Sequence, residues 1–124
     1  MTRVNDRQSA ERRGHNSERL AALWLTLKGY RILARRVKTR AGEIDLVATA
    51  PFGPTCFIEV KARGLARMAA ESVGPAQRTR IARAASLYLA SRPHLSRRGA
   101  RFDIVAVAPR SLPVHHRDVW RPDF

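Results

Sequence analysis

Apolar residues recur at helical spacing in two stretches of the chain. The first stretch predicts an amphipathic helix, because its apolar residues stand at i, i+3, i+4 and i+7. The residues that we expect to face the core are Leu20, Leu23, Trp24 and Leu27. Asn16 or Ser17 can cap the start of this helix, and Gly29 can end it. A second helix is predicted from Pro75 to about Ser91. Its apolar positions are Ile81, Ala84, Ala85, Tyr88 and Leu89.

Between the two helices the apolar pattern changes to the period of a strand. Segments 30–38, 43–50 and 55–62 are joined by short turns, which predicts an antiparallel meander. After the second helix, residues 102–108 are largely apolar, and a right-handed crossover would place this strand parallel to a neighbour. Residues 114–120 are compatible with a short edge strand. In the middle strand of the meander, strict alternation predicts that one face carries Ile44, Leu46 and Ala48.

The element order α-β-β-β-α-β predicts a single α/β domain in which helices flank a mixed sheet. The length of 124 residues agrees with one domain. We expect this domain to span residues 15–120, because residues 1–14 are rich in arginine and poor in apolar residues. That first segment is predicted to be a flexible basic N-terminal arm.

The net charge of the chain indicates a class of function in addition to the predicted fold. The chain has 24 Lys and Arg against 10 Asp and Glu, a formal net charge of +14. Such an excess indicates a polyanionic partner, either nucleic acid or an anionic membrane face. We expect no cleaved secretory signal, because no apolar stretch precedes Leu20. The sequence has one cysteine (Cys56) and no apolar run near the ~20 residues of a membrane helix. We therefore expect a cytoplasmic protein that binds nucleic acid and no membrane.

Two of the few acidic residues, Asp45 and Glu59, fall on adjacent strands of the predicted meander. If the hairpin is centred on Phe52, these residues lie opposite each other, with Cβ atoms about 4.5–5.5 Å apart. Two carboxylates so close repel unless a cation intervenes, and Mg²⁺ favours one or two carboxylates plus water and phosphate oxygens. Lys61 would share a face with Glu59 and could neutralise charge on a phosphate. The pattern predicts a Mg²⁺ or Mn²⁺ site that attacks a phosphodiester, and the alternative is the solvated face of a half-buried sheet.

Other polar residues have simpler interpretations. Glu18 opens the first predicted helix, either as a further acid of the site or as a carboxylate at the positive end of the helix dipole. Asp103 is a single acid in an apolar strand, and we interpret it as structural. His115 and His116 would face opposite sides of a strand. None of the four histidines has a partner at chelating helical spacing, so we expect ordinary packing or surface roles.

Two motifs resemble a known family. Residues 42–47 read Gly-Glu-Ile-Asp-Leu-Val, and residues 57–63 read Phe-Ile-Glu-Val-Lys-Ala-Arg. With further matches over about residues 14–108, the chain resembles the YraN-like family of small bacterial proteins. That family is similar to archaeal Holliday-junction resolvases and belongs to the wider PD-(D/E)xK nuclease fold. The resemblance therefore implies a restriction-endonuclease-like core.

The same resemblance assigns roles to residues by position. It implies that Asp45 and Glu59 are metal ligands and that Lys61 is the catalytic lysine. Glu18 would be an accessory ligand that acts directly or through water. The carbonyl of Val60 would be a further ligand.

The sequence departs from the family at Gln77, where a lysine is usual. Arg78 or Arg80 can replace the phosphate contact of that lysine. The arginines expected to bind nucleic acid are Arg35, Arg36, Arg40, Arg63, Arg78 and Arg80. The expected function is a metal-dependent endonuclease for branched or structured DNA. The alternative is a non-catalytic nucleic-acid-binding protein on a degenerate nuclease fold, and a homodimer is left open.

Overall fold

The computed structural model describes residues 3–62 and 73–122, with side chains from residue 15 onward in these ranges. The first helix, α1, spans Arg3–Leu27. The strands of the meander are β1 (Arg31–Thr39), β2 (Gly42–Thr49) and β3 (Thr55–Lys61). The rest of the chain forms α2 (Pro75–Ala90), the short α3 (Pro93–Ser96), β4 (Ala100–Ala106) and β5 (Val114–Trp120). No helix in these ranges is long and apolar enough to cross a membrane.

The strands form one mixed sheet in the order β1-β2-β3-β4-β5. The first three pair antiparallel, which confirms the predicted meander. Strand β4 pairs parallel with β3 after the α2 crossover, and β5 pairs antiparallel with β4 at the edge. This arrangement confirms a single α/β domain with a mixed sheet flanked by helices.

The two faces of the sheet carry separate hydrophobic cores. Under α2, Phe57 packs edge-on against Tyr88 and stacks on Phe102, which stacks in turn on Trp120. Under α1, small and aliphatic residues from the helix and the sheet fill the second core: Ala21, Leu25, Leu46, Ala48, Cys56, Ile58 and Val105 are among them. The sheet is therefore the middle of three layers.

The packing face of α1 differs from the predicted one. Leu20, Leu23 and Leu27 are 49%, 56% and 73% exposed, whereas Ala21 and Leu25 are fully buried. Both stripes satisfy helical spacing, and the small alanine side chain lets the helix approach the sheet closely. The predicted stripe is therefore wrong for the three leucines.

The bounds of α1 were predicted correctly at one end only. The helix begins at Arg3, so the start expected at Asn16 or Ser17 is wrong. Its end near Gly29 is confirmed, because Gly29 has a φ of 92° that favours glycine. Arg63, one of the arginines expected to bind nucleic acid, lies outside the described residues, as do the side chains of residues 1–14.

The alternation of β2 breaks at Asp45. Ile44 belongs to the core under α2, together with Val47, whereas Leu46 belongs to the core under α1. In a regular strand residues 44 and 46 would share a face, so the predicted placement of Ile44 is wrong. Arg36 stands opposite Asp45 on β1 and has a φ of 50°. Its neighbours Arg35 and Val37 pair with residues of β2, but Arg36 does not. This irregularity brings Asp45 to a point that both helix layers can reach.

Candidate metal-binding and catalytic site

The register of the β2–β3 hairpin places Asp45 and Glu59 at the end of the paired segment. The ladder joins Leu46 to Ile58 and Val47 to Phe57, as a hairpin centred on Phe52 requires. This part of the predicted register is confirmed. Asp45 and Glu59 are the next residues on each strand, beyond the last registered pair.

Asp45 is held in place by a backbone donor of the neighbouring strand. The N–H of Val60 donates to Asp45 Oδ2 at 2.8 Å. Burial raises the pKa of Asp45, although the Val60 hydrogen bond acts in the opposite direction. The charge of Glu18 raises this pKa further, so the α1 residue lies close enough to act on the strand carboxylate. The N–H of Val60, rather than its carbonyl, is the group that contacts Asp45.

Glu59 has contacts from three directions. Its side chain is 13% exposed, its Oε1 accepts from Gln77 Nε2 at 3.2 Å, and Lys61 Nζ lies 3.7 Å from the same oxygen. Burial and the charge of Asp45 raise the pKa of Glu59 to about 7, against the attraction of Lys61. The two carboxyl groups are close enough that each acts on the pKa of the other. Glu59 therefore keeps its proton to a higher pH than an isolated glutamate.

Glu18 joins the site with a cation of its own. Arg36 Nε donates to Glu18 Oε1 at 2.9 Å, and the Glu18 side chain is only 12% exposed. From the sequence, Glu18 is expected to bind a metal ion and Arg36 to bind nucleic acid, so the sequence does not predict that they contact each other. The ion pair depends on the positive φ of Arg36, which no spacing rule reveals.

A cleft of about 220 Å³ opens over the acidic pair, between β2, β3 and α2. Its wall includes Asp45, Glu59, Gln77 and Arg80. Arg80 is therefore placed at the cleft, where the family resemblance led us to expect a cation. The sequence does not reveal the contact between Gln77 and Glu59. It does single out position 77, because a glutamine stands there where the family usually has a lysine.

The other predicted arginines lie farther round the surface. Arg78 donates its Nε to the Val73 carbonyl at 2.8 Å and lies over the Trp120 ring, away from the cleft wall. Arg40 lines a broad depression of about 750 Å³ between β1 and α2. Arg35 is exposed on β1. Only Arg80 among these four lines the acidic cleft.

The donor set suits a divalent cation that keeps open positions. Within residues 15–62 and 73–122 there is no group of three or more His, Cys, Asp or Glu residues that would hold a metal by itself. Asp45 and Glu59 supply two carboxylates, which is the number that Mg²⁺ takes when waters and phosphate oxygens complete its shell. The pair therefore fits an ion that is bound together with a phosphate, and it does not fit a closed structural site.

Comparison with known proteins covers most of the chain. Residues 17–107 match the family described as "Uncharacterised protein family UPF0102". A UPF0102 protein of Paramagnetospirillum magneticum is 52% identical over 120 residues, covering 94% of this chain and 92% of that protein. A UPF0102 protein of Agrobacterium fabrum is 52% identical over 116 residues, covering 94% of each chain. One of Maricaulis maris is 49% identical over 122 residues, covering 98% of this chain and 94% of its own length. The matched segment contains the whole cleft, and the chain belongs to the UPF0102 family.

Proposed function

We propose that this protein hydrolyses phosphodiesters of nucleic acid with a divalent cation, Mg²⁺ or Mn²⁺, and that branched or structured DNA is its substrate. The observation that carries the proposal is the pair of carboxyl groups of Asp45 and Glu59 in one cleft, with Lys61 Nζ 3.7 Å from Glu59 Oε1, in a chain with a net charge of +14. A protein that only binds phosphates gains nothing from two adjacent carboxylates, because they repel the ligand. We further propose a cytoplasmic location and a kinship with the PD-(D/E)xK nucleases.

In this proposal Asp45 and Glu59 hold the cation, with Glu18 as an accessory ligand and the Val60 carbonyl as a further one. When bound, the cation lowers the pKa of water and neutralises charge on the phosphate. The hydrogen bond from Val60 fixes Asp45, and the hydrogen bond from Gln77 fixes Glu59. These contacts orient the carboxylates before substrate arrives.

Lys61 is the group that we assign to the reacting phosphate. Its side chain is 16% exposed and its Nζ lies 3.7 Å from Glu59 Oε1. From there the ammonium can donate to a phosphate oxygen or to the attacking water, where negative charge develops in the transition state. Its attraction to Glu59 also favours the ionised carboxylate that a cation needs.

Arginines around the cleft supply the affinity for the nucleic-acid backbone. Arg80 lines the cleft itself, and Arg35, Arg36 and Arg40 lie on or next to the neighbouring strand β1. Phosphate contacts of this kind fix orientation without reading sequence. We therefore propose a nuclease that selects the shape of its substrate.

One observation favours a second function, binding without catalysis. Gln77 stands where the family usually has a lysine, and its amide is engaged by Glu59. A neutral amide offers less to a phosphate than an ammonium does. In this second proposal the cleft is a remnant, and the protein binds nucleic acid through its arginines alone.

Cleavage assays separate the two functions. Labelled branched, duplex and single-stranded DNA are incubated with the protein in Mg²⁺, in Mn²⁺ and in EDTA, and binding is measured in parallel. We expect cleavage of branched DNA with either metal and none in EDTA. Asp45→Asn should abolish cleavage, whereas Asp118→Asn, which removes the same charge far from the cleft, should not. Binding of every substrate without any cleavage would refute hydrolysis and support the second proposal.

A further inference from the structure

A chain of polar side chains crosses the α1 face of the sheet, and none of its members belongs to the cleft. It begins at Lys28, which follows α1 and is exposed. Lys28 Nζ lies 2.7 Å from Nδ1 of His115 on β5. The same ammonium lies over the ring of Tyr30, 5.8 Å from its centroid. The amine is therefore fixed between an imidazole and an aromatic face.

The other end of this chain is Asp103, whose side chain is fully buried. Arg101 donates to both of its oxygens at 2.9 and 2.8 Å, and the backbone N–H of Asp118 donates at 3.0 Å. Burial would raise the pKa of Asp103, but the hydrogen bonds from His115 and Arg101 outweigh it and hold the pKa below its ordinary value. Asp103 is therefore a carboxylate, and it can only accept hydrogen bonds.

His115 connects the carboxylate to the amine. Its side chain is 1% exposed, and its Nε2 lies 2.7 Å from Asp103 Oδ2. Because Asp103 is ionised, Nε2 carries the hydrogen of this bond, and Nδ1 turns its lone pair towards Lys28. Tyr30 packs edge-on against the imidazole at 5.3 Å and fixes the plane of the ring. A proton released by Lys28 therefore has an acceptor, and Asp103 stabilises the imidazolium that forms.

The surroundings of Lys28 favour the neutral amine. Burial and the charge of Arg117, an exposed residue of β5, hold the pKa of Lys28 below its ordinary value. A lysine whose ammonium lies beside a second cation and a base has the arrangement of a nucleophile. The sequence contains two other lysines, Lys38 and Lys61, of which Lys61 is committed to Glu59. Lys38 is exposed on β1 and provides a matched internal reference.

We propose that Lys28 is a nucleophilic amine that forms an imine with a phosphate-bearing aldehyde, with His115 as its base and Asp103 as the residue that positions His115. The attraction between phosphate and Arg117 selects the ligand class. The aldehyde is carried either by a small phosphorylated molecule or by an abasic residue of a nucleic-acid strand. Neither source requires the cation or the carboxylates of the cleft, so this inference stands apart from the proposed hydrolysis.

The step balances without an oxidant or a reductant. Nζ gives its proton to His115 Nδ1, and its lone pair attacks the aldehyde carbon. The carbon–nitrogen bond forms while the carbonyl π electrons move to oxygen, and a second proton passes from the attacking nitrogen to that oxygen, which becomes a hydroxyl. The imidazolium then returns a proton to that hydroxyl, which leaves as water. The lysine ammonium and the aldehyde become a protonated imine and water, and His115 returns to its neutral form.

Reductive trapping tests the proposal on the full-length wild-type chain. The protein is mixed with pyridoxal 5′-phosphate, reduced with borohydride at intervals, digested, and the labelled peptides are counted by mass spectrometry. We expect Lys28 to be labelled at least about tenfold faster than Lys38, and pyridoxal without phosphate to label it more slowly. A second arm replaces the small aldehyde by an oligodeoxynucleotide with one abasic site. Preferential trapping in one arm identifies the source, and equal labelling of Lys28 and Lys38 in both arms overturns the proposal.

Variants separate activation of the amine from simple access to it. Lys28→Arg should remove the labelled peptide, and His115→Asn should slow Lys28 labelling about tenfold with no change at Lys38. If circular dichroism shows that His115→Asn does not fold, the pH profile of the wild type decides, because Lys28 should reach half-maximal rate at a lower pH than Lys38. Identical profiles for the two lysines would refute activation. Asp45→Asn should label like the wild type, which keeps this result independent of the hydrolysis assay.

Discussion

Replacing Glu59 by Gln should stabilise the metal-free protein at alkaline pH and leave its stability at acid pH nearly unchanged. The glutamine keeps the size of the side chain and an oxygen for Gln77. It removes the charge that burial and Asp45 make unfavourable. The variant therefore isolates the electrostatic cost of the empty carboxylate pair.

The magnitude follows from the pKa of Glu59. Burial and Asp45 raise it from the ordinary 4.5 to about 7 in the folded protein. A raised acid pKa means that the folded state binds the proton more tightly, so stability is greatest below pH 4.5 and falls as the pH rises through 7. At about 1.4 kcal/mol for each tenfold difference in proton affinity, the cost above that range is on the order of 3 kcal/mol. Glu59→Gln should recover most of it at pH 8.5 and little at pH 4.

Urea unfolding in EDTA at these two pH values measures the effect. Glu43→Gln removes an exposed acid from the wall of the same cleft and is the matched control, and its stability gain at pH 8.5 should be smaller than that of Glu59→Gln. Adding Mg²⁺ at pH 8.5 should stabilise the wild type and not Glu59→Gln, because only the wild type keeps both carboxylates. An equal difference between wild type and Glu59→Gln at both pH values would refute the assigned burial and pairing of Glu59.

Three further predictions concern the site, the helix and the buried carboxylate. Lys61→Ala should retain Mn²⁺ binding by isothermal titration while cleavage is lost, and loss of Mn²⁺ binding would show that Lys61 organises the ligands. Leu25→Ala should cost about 2–5 kcal/mol in thermal unfolding, whereas Leu23→Ala on the exposed side should cost well under about 1 kcal/mol, and equal costs would contradict the packing face of α1. Asp103→Asn should destabilise the fold by about 3–5 kcal/mol near neutral pH, since Arg101 loses its buried partner; the wild type should lose this contribution as the pH falls through the lowered pKa of Asp103. If Asp103→Asn has the same unfolding free energy as the wild type at both acid and neutral pH, the ionised Asp103 does not stabilise the fold.

The sheet could be predicted from the sequence because local rules govern it. Short turns fix an antiparallel meander, and the turn at Phe52 fixes the register that brings Asp45 close to Glu59. The helix face of α1 could not be chosen in the same way. Two stripes share one spacing, and hydrophobicity favours the leucines although the sheet accepts Ala21 and Leu25. The deciding factor is how closely two layers approach, which the sequence of one helix does not contain.

The sequence predicts which acidic residues form the candidate site, but it does not predict which residues contact them. Asp45, Glu59 and Lys61 follow from strand period and pairing. The contacts of Gln77 with Glu59 and of Arg36 with Glu18 each join residues 18 positions apart on different elements. The contact between His115 and Asp103 joins β5 to β4. Strand alternation predicts the face on which His115 lies, but it does not predict that its partner is Asp103. Such contacts depend on rotamers and on the irregularity of β1 opposite Asp45.

The hydrogen bond between Val60 and Asp45 has a consequence for how this site is mutated. Asp45 Oδ2 accepts the backbone N–H of Val60 just beyond the last registered pair of β2 and β3. At this point a side-chain hydrogen bond replaces the backbone pairing of the two strands. Alanine at position 45 would remove the proposed metal ligand and also leave the partly buried N–H of Val60 without an acceptor, at a cost of about 1–3 kcal/mol. An alanine scan would therefore mix unfolding with lost chemistry at this position. Asparagine keeps an acceptor for Val60 while it changes the charge, and an activity lost in Asp45→Asn can be attributed to chemistry alone.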